Sequence, residues 1–334
     1  MRFSVDLLNT LLIIVSLILA VYFPFELFLL VYAVLGPLHY LTEINWIKDK
    51  NYFLSNKNWV YIASALALLV TIPIIIKLIW PVSSENLVLG FFRQEFVKIT
   101  NGFILLALVI ACSYLIFSDY RIRFCTIALA IIFAVLAKDL SVYNIWIGIL
   151  LPTIIHVYLF TFFFMWYGNL KKNNSIGYIN IFLIALIPFI IMFLSLDEST
   201  YQFSNEVKDI IIENRFFVLN TTIANLLGLS DGSSFFFNEV IDLKIQIMIA
   251  FAYTYHYLNW FSKTTVIGWH KNLTSKKSVL ILVIWFFSLF LYAYDYKIGL
   301  TFLLVLSLMH VFLEFPLNVI SIRGIYNNLS ARLK

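Results

Sequence analysis

Long apolar runs recur along the whole chain, and several reach the roughly 20 residues that a helix needs to cross a bilayer. Backbone in hydrocarbon must satisfy its own hydrogen bonds, so runs of this kind fold as spanning helices. With 62% hydrophobic and 12% charged residues over 334 positions, the sequence contains no segment that reads as a soluble domain, and no glycine-rich phosphate loop or low-complexity tract. The expected fold is all-α: a polytopic transmembrane helical bundle of about ten helices, forming one integral membrane domain over 1–334. Candidate spans are 7–23, 25–47, 59–80, 101–118, 124–137, 142–167, 178–196, 241–262, 279–296 and 299–320. The fifth is short enough to be re-entrant. No small-residue cleavage site follows the first, which is read as an uncleaved helix.

Charge orients these spans. If the N-terminus is cytoplasmic, the inner pieces carry Arg2; Lys48, Lys50 and Lys57; Arg121 and Arg123; Lys171 and Lys172; Lys263, Lys271, Lys276 and Lys277; and Arg323, Arg332 and Lys334, which is 15 of the 23 basic residues. That asymmetry follows the positive-inside rule if the fifth segment spans, and it places both termini in the cytoplasm. The basic residues are scattered through short loops rather than clustered, so the formal charge of +5 does not indicate nucleic acid as a partner. The longest stretch between spans, 197–240, falls outside and is rich in acid. Its apolar stripe through Val207, Ile210, Ile211 and Phe217 suggests a helix lying on the outer surface as a cap; a partly ordered loop is the alternative. Cys112 and Cys125 have no finger or CxxC spacing and read as core residues rather than metal ligands or a disulfide.

Four of the five histidines lie inside apolar segments, one per segment: His39, His156, His256 and His310. Each falls on a span expected to run from outside to inside. They are residues 15, 15, 16 and 12 of their spans, so at 1.5 Å per residue they share a depth to within roughly 6 Å, just cytoplasmic of the midplane. A lone membrane histidine is ordinarily a packing or hydrogen-bonding group. Four helices presenting imidazoles at one level is what a metal site in a bundle requires. Glu43 and Glu314 each follow a histidine by four residues, on the same helix face, and a carboxylate in hydrocarbon needs a partner. Either they bind the metal, or they accept the second N–H of a ligating imidazole and fix its tautomer. His270, in a basic loop, reads as a surface histidine.

Imidazole ligands suit iron, copper, nickel or zinc, so the ligand set does not choose the metal, and haem is a further possibility. A neutral set around Fe(II) would leave positions open for dioxygen, and a site reached through the bilayer implies a lipophilic small-molecule substrate. The aromatic residues near His156 (Phe160, Phe162, Phe163, Phe164, Trp166) and near His256 (Tyr253, Tyr255, Tyr257) are candidate channel walls as well as packing groups.

The segment Gly36-Pro37-Leu38-His39-Tyr40-Leu41-Thr42-Glu43 resembles the Pro-His-Gly-x-x-Asp segment of the bacterial Brp/Blh-type β-carotene cleavage dioxygenases, in which a histidine is likewise followed by a carboxylate four residues on. Tyr255-His256-Tyr257-Leu258-Asn259-Trp260 is similar to that family's later Trp-His-x-x-x-His region, with His256 in the place of the first histidine. Here Glu43 stands for aspartate, Tyr40 for glycine and Trp260 for the second histidine. The resemblance implies a bacterial plasma-membrane enzyme with a nonhaem iron site built from transmembrane histidines, performing oxygen-dependent cleavage of a carotenoid to retinal. A competing reading is a transporter or proton-coupled carrier, with His39/Glu43 and His310/Glu314 as proton relays. It predicts a water-filled path, and few broken or glycine-rich spans support one.

Overall fold

The computed structural model describes residues 4–50, 58–80 and 87–332; the orienting charges Arg2, Lys57 and Lys334 lie outside them. No strand occurs among the described residues. The spanning helices are α1 (Val5–Tyr22), α2 (Pro24–Lys50), α3 (Asn58–Ile79), α4 (Thr100–Ile116), α5 (Tyr120–Ala137), α6 (Ser141–Lys172) and α7 (Ser175–Phe193). Two short helices follow, α8 (Asn205–Glu213) and α9 (Phe217–Leu226), and then α10 (Val240–Ser262), α11 (Ser275–Tyr294) and α12 (Tyr296–Arg332). Eight of the described helices are long and apolar enough to cross a membrane, and a ninth forms if α4 is joined to the bent piece Leu89–Phe96 before it, at 62°. The protein is thus a polytopic helical membrane protein. The fifth segment, short in the sequence, is a full 18-residue helix whose outward face exposes Leu129, Ile132 and Leu136. α11 likewise exposes Val279, Val283, Phe286 and Phe290, as expected of lipid-facing surface.

Two compact units are formed, residues 1–39 with 157–270 and residues 40–156 with 271–334. In the first, α10 packs against α1, α7 and α9. α10 is the expected span that falls short in apolar character, and the reason is visible in its surroundings. Sixteen of its 23 residues are buried, so its surface meets protein rather than lipid. Its polar groups find partners there: the Gln246 amide donates to Pro24 O at 3.1 Å, and the Tyr255 hydroxyl to Asn9 Oδ1 at 3.3 Å. Ser262 Oγ donates to the same Asn9 oxygen at 3.1 Å.

Helix directions in this unit can be read from the contacts at its two ends. Where α1 and α7 begin, Asn180 donates to Asp6 O at 2.8 Å, and Lys172, at the end of α6, pairs with the Asp6 carboxylate. At the opposite end Lys244, in the first turns of α10, donates to Met192 O at 2.7 Å, and Tyr201 donates to Val21 O at 2.9 Å. α1 and α7 therefore run one way, and α10 and the end of α6 the other.

The 197–240 stretch is ordered as α8 and α9 rather than one helix or a loop. Arg215 takes a left-handed φ of 58°, so the chain turns between the two, and Phe217 starts the second helix instead of continuing the stripe of the first. Ile211, from that stripe, is buried.

In the second unit α12 packs against α3, α4 and α11. At 37 residues it spans about 55 Å, well beyond a hydrocarbon core of about 30 Å. Asn101 donates to Asn144 Oδ1 at 2.8 Å, which places the starts of α4 and α6 side by side, and Arg323 reaches Leu115 O at 3.3 Å near the far end of α4. Gly148 permits the first of these approaches, because a Cβ there would lie 2.6 Å from the Asn101 amide. The middle of α6 is wound in wide π-type turns, with a break at Thr153 (φ −112°, ψ −107°) directly after Pro152. Proline removes the N–H that would close the regular turn, and Thr153 Oγ1 donates instead to Ile149 O.

Candidate metal centre

The sequence-predicted ligands meet as two pairs, one in each unit. In the first unit, α2 supplies His39 and α10 supplies His256, and their Nε2 atoms lie 3.1 Å apart with the rings edge to face at 78°. Both are buried, at 1% and 6% exposure. His256 Nδ1 is 2.7 Å from Thr161 Oγ1 of α6. His39 is walled by Tyr257 and Trp260, with ring centroids at 5.2 and 5.5 Å.

In the second unit, α6 supplies His156 and α12 supplies His310, again with Nε2 atoms 3.1 Å apart and rings edge to face at 76°. His156 lies three residues after Thr153, within the same wide-turned stretch Asn144–Phe160, so the break after Pro152 sets where this imidazole leaves the helix. Glu314 Oε2 stands 3.1 Å from His156 Nδ1, and Tyr40 stacks on His310 with centroids 4.2 Å apart at 23°. Glu314 thus contacts the histidine of another helix rather than only the one four residues before it. Glu43 is fully buried on the turn of α2 after Tyr40.

The spacing of each pair is chemically informative. Two imidazole nitrogens bound to one ion at the usual 2.0–2.1 Å subtend an angle of about 95–100° when they lie 3.1 Å apart, which is an ordinary cis-ligand angle. A neutral pair can meet the same distance through one N–H···N hydrogen bond. The two states differ in proton placement: metal binding needs both Nε2 lone pairs bare, so both protons must sit on Nδ1. Thr161 Oγ1 stands where an Nδ1–H of His256 needs an acceptor, and Glu314 Oε2 does so for His156. This is the arrangement that fixes a ligating tautomer. It also bears on Glu314, whose oxygen faces the ring nitrogen opposite the paired one.

Thr161 was not singled out by the sequence reading. The signal available was a lone hydroxyl inside the run Leu159-Phe160-Thr161-Phe162-Phe163-Phe164, five residues after His156. Tyr40 was noted only as a departure from a family pattern, and its ring now forms one wall of His310. His270 is exposed, with Nδ1 3.0 Å from Thr264 O, as expected for a surface group. Tyr253, Tyr255 and Tyr257 are buried against Phe28, Phe251 and His39 respectively. No protein-family model, curated protein or solved structure matches the chain.

Proposed function

We propose that the protein is a membrane-embedded, metal-dependent oxygenase acting on a lipophilic substrate, with His39, His156, His256 and His310 as ligands to one ion. The observation that carries this reading is the duplicated geometry: two buried histidine pairs, each with Nε2 atoms 3.1 Å apart, and in each pair one histidine whose Nδ1 faces an oxygen. That both pairs serve the same ion is inferred from the sequence, where the four residues share one depth in four helices of one direction. Nonhaem Fe(II) is the proposed metal, following the resemblance around His39 and His256; four imidazoles would leave positions of a six-coordinate ion open for dioxygen.

An iron centre of this kind supplies a place for dioxygen to react in a dry interior. The chain's own residues hold the ion through Nε2, keep the ligating tautomers through Thr161 and Glu314, and exclude water with the aromatic walls of Tyr40, Tyr257 and Trp260. Following the resemblance around His39 and His256, the proposed reaction is oxidative cleavage of a carotenoid to retinal. One C=C bond is broken and both oxygen atoms of dioxygen end in the two aldehydes, so no external reductant is consumed.

The deciding experiment has two arms. Purified protein should contain near-stoichiometric iron without a Soret band, and expression in a host that makes β-carotene should bleach the pigment with an aldehyde product, dependent on oxygen. A Soret band, or unchanged metal content after His39→Ala, His156→Ala, His256→Ala and His310→Ala, refutes the metal reading. Retained iron with persistent pigment refutes the carotenoid alone.

A further inference from the structure

The histidines leave unexplained a cleft of about 140 Å³ at the end of the first unit where α1 and α7 begin and α6 and α10 finish. Its walls include Val5, Phe164 and Val266, and its polar rim is formed by Asp6, Lys172 and Lys263. Two of the three charges cancel. Lys172 is paired with the Asp6 carboxylate, and Asn174 donates to the same oxygen, so Asp6 is held and neutralised within the protein. The neighbouring amides are also committed: Asn180 donates to Asp6 O at 2.8 Å, Asn169 to Asn174 O at 3.1 Å and Asn9 to Val5 O at 2.8 Å. Lys263 remains. Its ammonium lies 5.0 Å from the centre of the Phe164 ring, and no ion pair to it occurs among the described residues. A cleft with apolar walls, whose one charged group outside the Asp6–Lys172 pair is a lysine, at the membrane-interface end of a helical bundle, is complementary to a lipid whose headgroup carries one negative charge.

We propose that this cleft binds the phosphodiester headgroup of an anionic phospholipid, with Lys263 as its counter-ion. Lys263 is half-buried at this rim, with its ammonium against the Phe164 ring. Desolvation holds its pKa down to about 7, against the opposing pull of Asp6, so a phosphodiester bound beside it would favour the ammonium form. Lysine just past a helix C-terminus also gains from the helix dipole, but that interaction does not require a cleft beside it.

Purified protein in detergent or nanodiscs is tested by native mass spectrometry and thermal melting with phosphatidylglycerol, phosphatidylcholine or inorganic phosphate. Phosphatidylglycerol should be retained and should raise Tm more than phosphatidylcholine. Lys263→Met should weaken its retention about fivefold, the effect of one lysine near an anionic surface, whereas Lys263→Arg should preserve it. Gly168→Leu provides a second variant that leaves the lysine untouched. Gly168 lines the cleft, and a Cβ there meets nothing within 4 Å, so the leucine should be accommodated and should displace the lipid. Equal retention of the two lipids, unchanged retention in both Lys263→Met and Gly168→Leu, or an equal stabilisation by inorganic phosphate alone each overturns the proposal.

Discussion

Thr161→Val tests whether the hydroxyl of Thr161 keeps His256 in the tautomer that binds metal. The substitution preserves the branched shape and removes one oxygen, 2.7 Å from His256 Nδ1, at a position only 7% exposed. If Nδ1 carries the proton, its N–H loses its acceptor in a dry interior, a penalty of about 1–3 kcal/mol. The imidazole can then relieve this penalty by moving the proton to Nε2, which abolishes its lone pair toward the ion. Loss of such a positioning partner typically weakens metal binding by about 10–100-fold, equivalent to about 1.4–2.7 kcal/mol. The assay is equilibrium dialysis of purified protein against a competing chelator, read by elemental analysis, with thermal melting of the metal-free protein in parallel. Thr161→Ser, which keeps the oxygen, should retain metal close to the original level. Metal affinity within a factor of two of the original in Thr161→Val, or an equal loss in Thr161→Ser, would refute the reasoning.

Glu314→Gln should weaken metal retention by about 10–100-fold, because an amide, whose NH2 offers no acceptor, replaces the carboxyl group facing His156 Nδ1 at 3.1 Å, and the same dialysis assay reads it. Reporter fusions at Lys172 and Lys277 should both report cytoplasm and one within 205–235 the outside; opposite signals at the two lysines would show a miscounted span. Gly148→Ala should lower Tm, since its Cβ would lie 2.6 Å from the Asn101 amide, which would have to swing away and give up its bond to Asn144. The 197–240 segment should loosen in acid. Ser199 and Ser233 hydrogen-bond to the Asp197 and Asp231 carboxylates and hold both pKa values below the usual range. A folded-state pKa below the unfolded one stabilises at pH above the unfolded value of about 3.9 and is lost as pH falls through the folded value. Proteolysis within 197–240 should therefore be constant from about pH 5 to 8 and rise below about pH 4.

The spans were legible because a lipid-facing helix must advertise itself in every residue of its outward surface, as in α5 and α11. α10 was legible for a different reason: its length and its aromatic and aliphatic residues outweighed Asp242, Lys244 and Gln246, although it meets little lipid. Features fixed by packing rather than by solvent left a weaker trace. The bend before α4, the wide turns after Pro152 and the left-handed Arg215 that divides α8 from α9 each depend on neighbours that a one-dimensional pattern does not display. The candidate ligands could be named because ionisable groups are rare in apolar sequence. Their pairing could not: equal depth says nothing of which imidazole faces which. Thr161 illustrates the limit, since a threonine in a helix usually satisfies its hydroxyl on its own backbone, and only the position of His256 Nδ1 gives it another role.

The enclosure of α10 bears on how the chain is made. A segment containing Asp242, Lys244, Gln246, His256 and Asn259 partitions less readily into bilayer than the other spans, although Asp242 and Lys244, in its first two turns, cost less than the about 2.5–3.5 kcal/mol of a charge at the helix centre. Gln246, Lys244 and Ser262 donate to Pro24 O, Met192 O and Asn9 of α1, all synthesised before it. Insertion of α10 should therefore be helped by α1 and α7, which pack against it and precede it in synthesis. A chain lacking α1 should insert α10 less efficiently even with its own sequence intact, since α10 would lose its packing on α1 and the Asn9 contact.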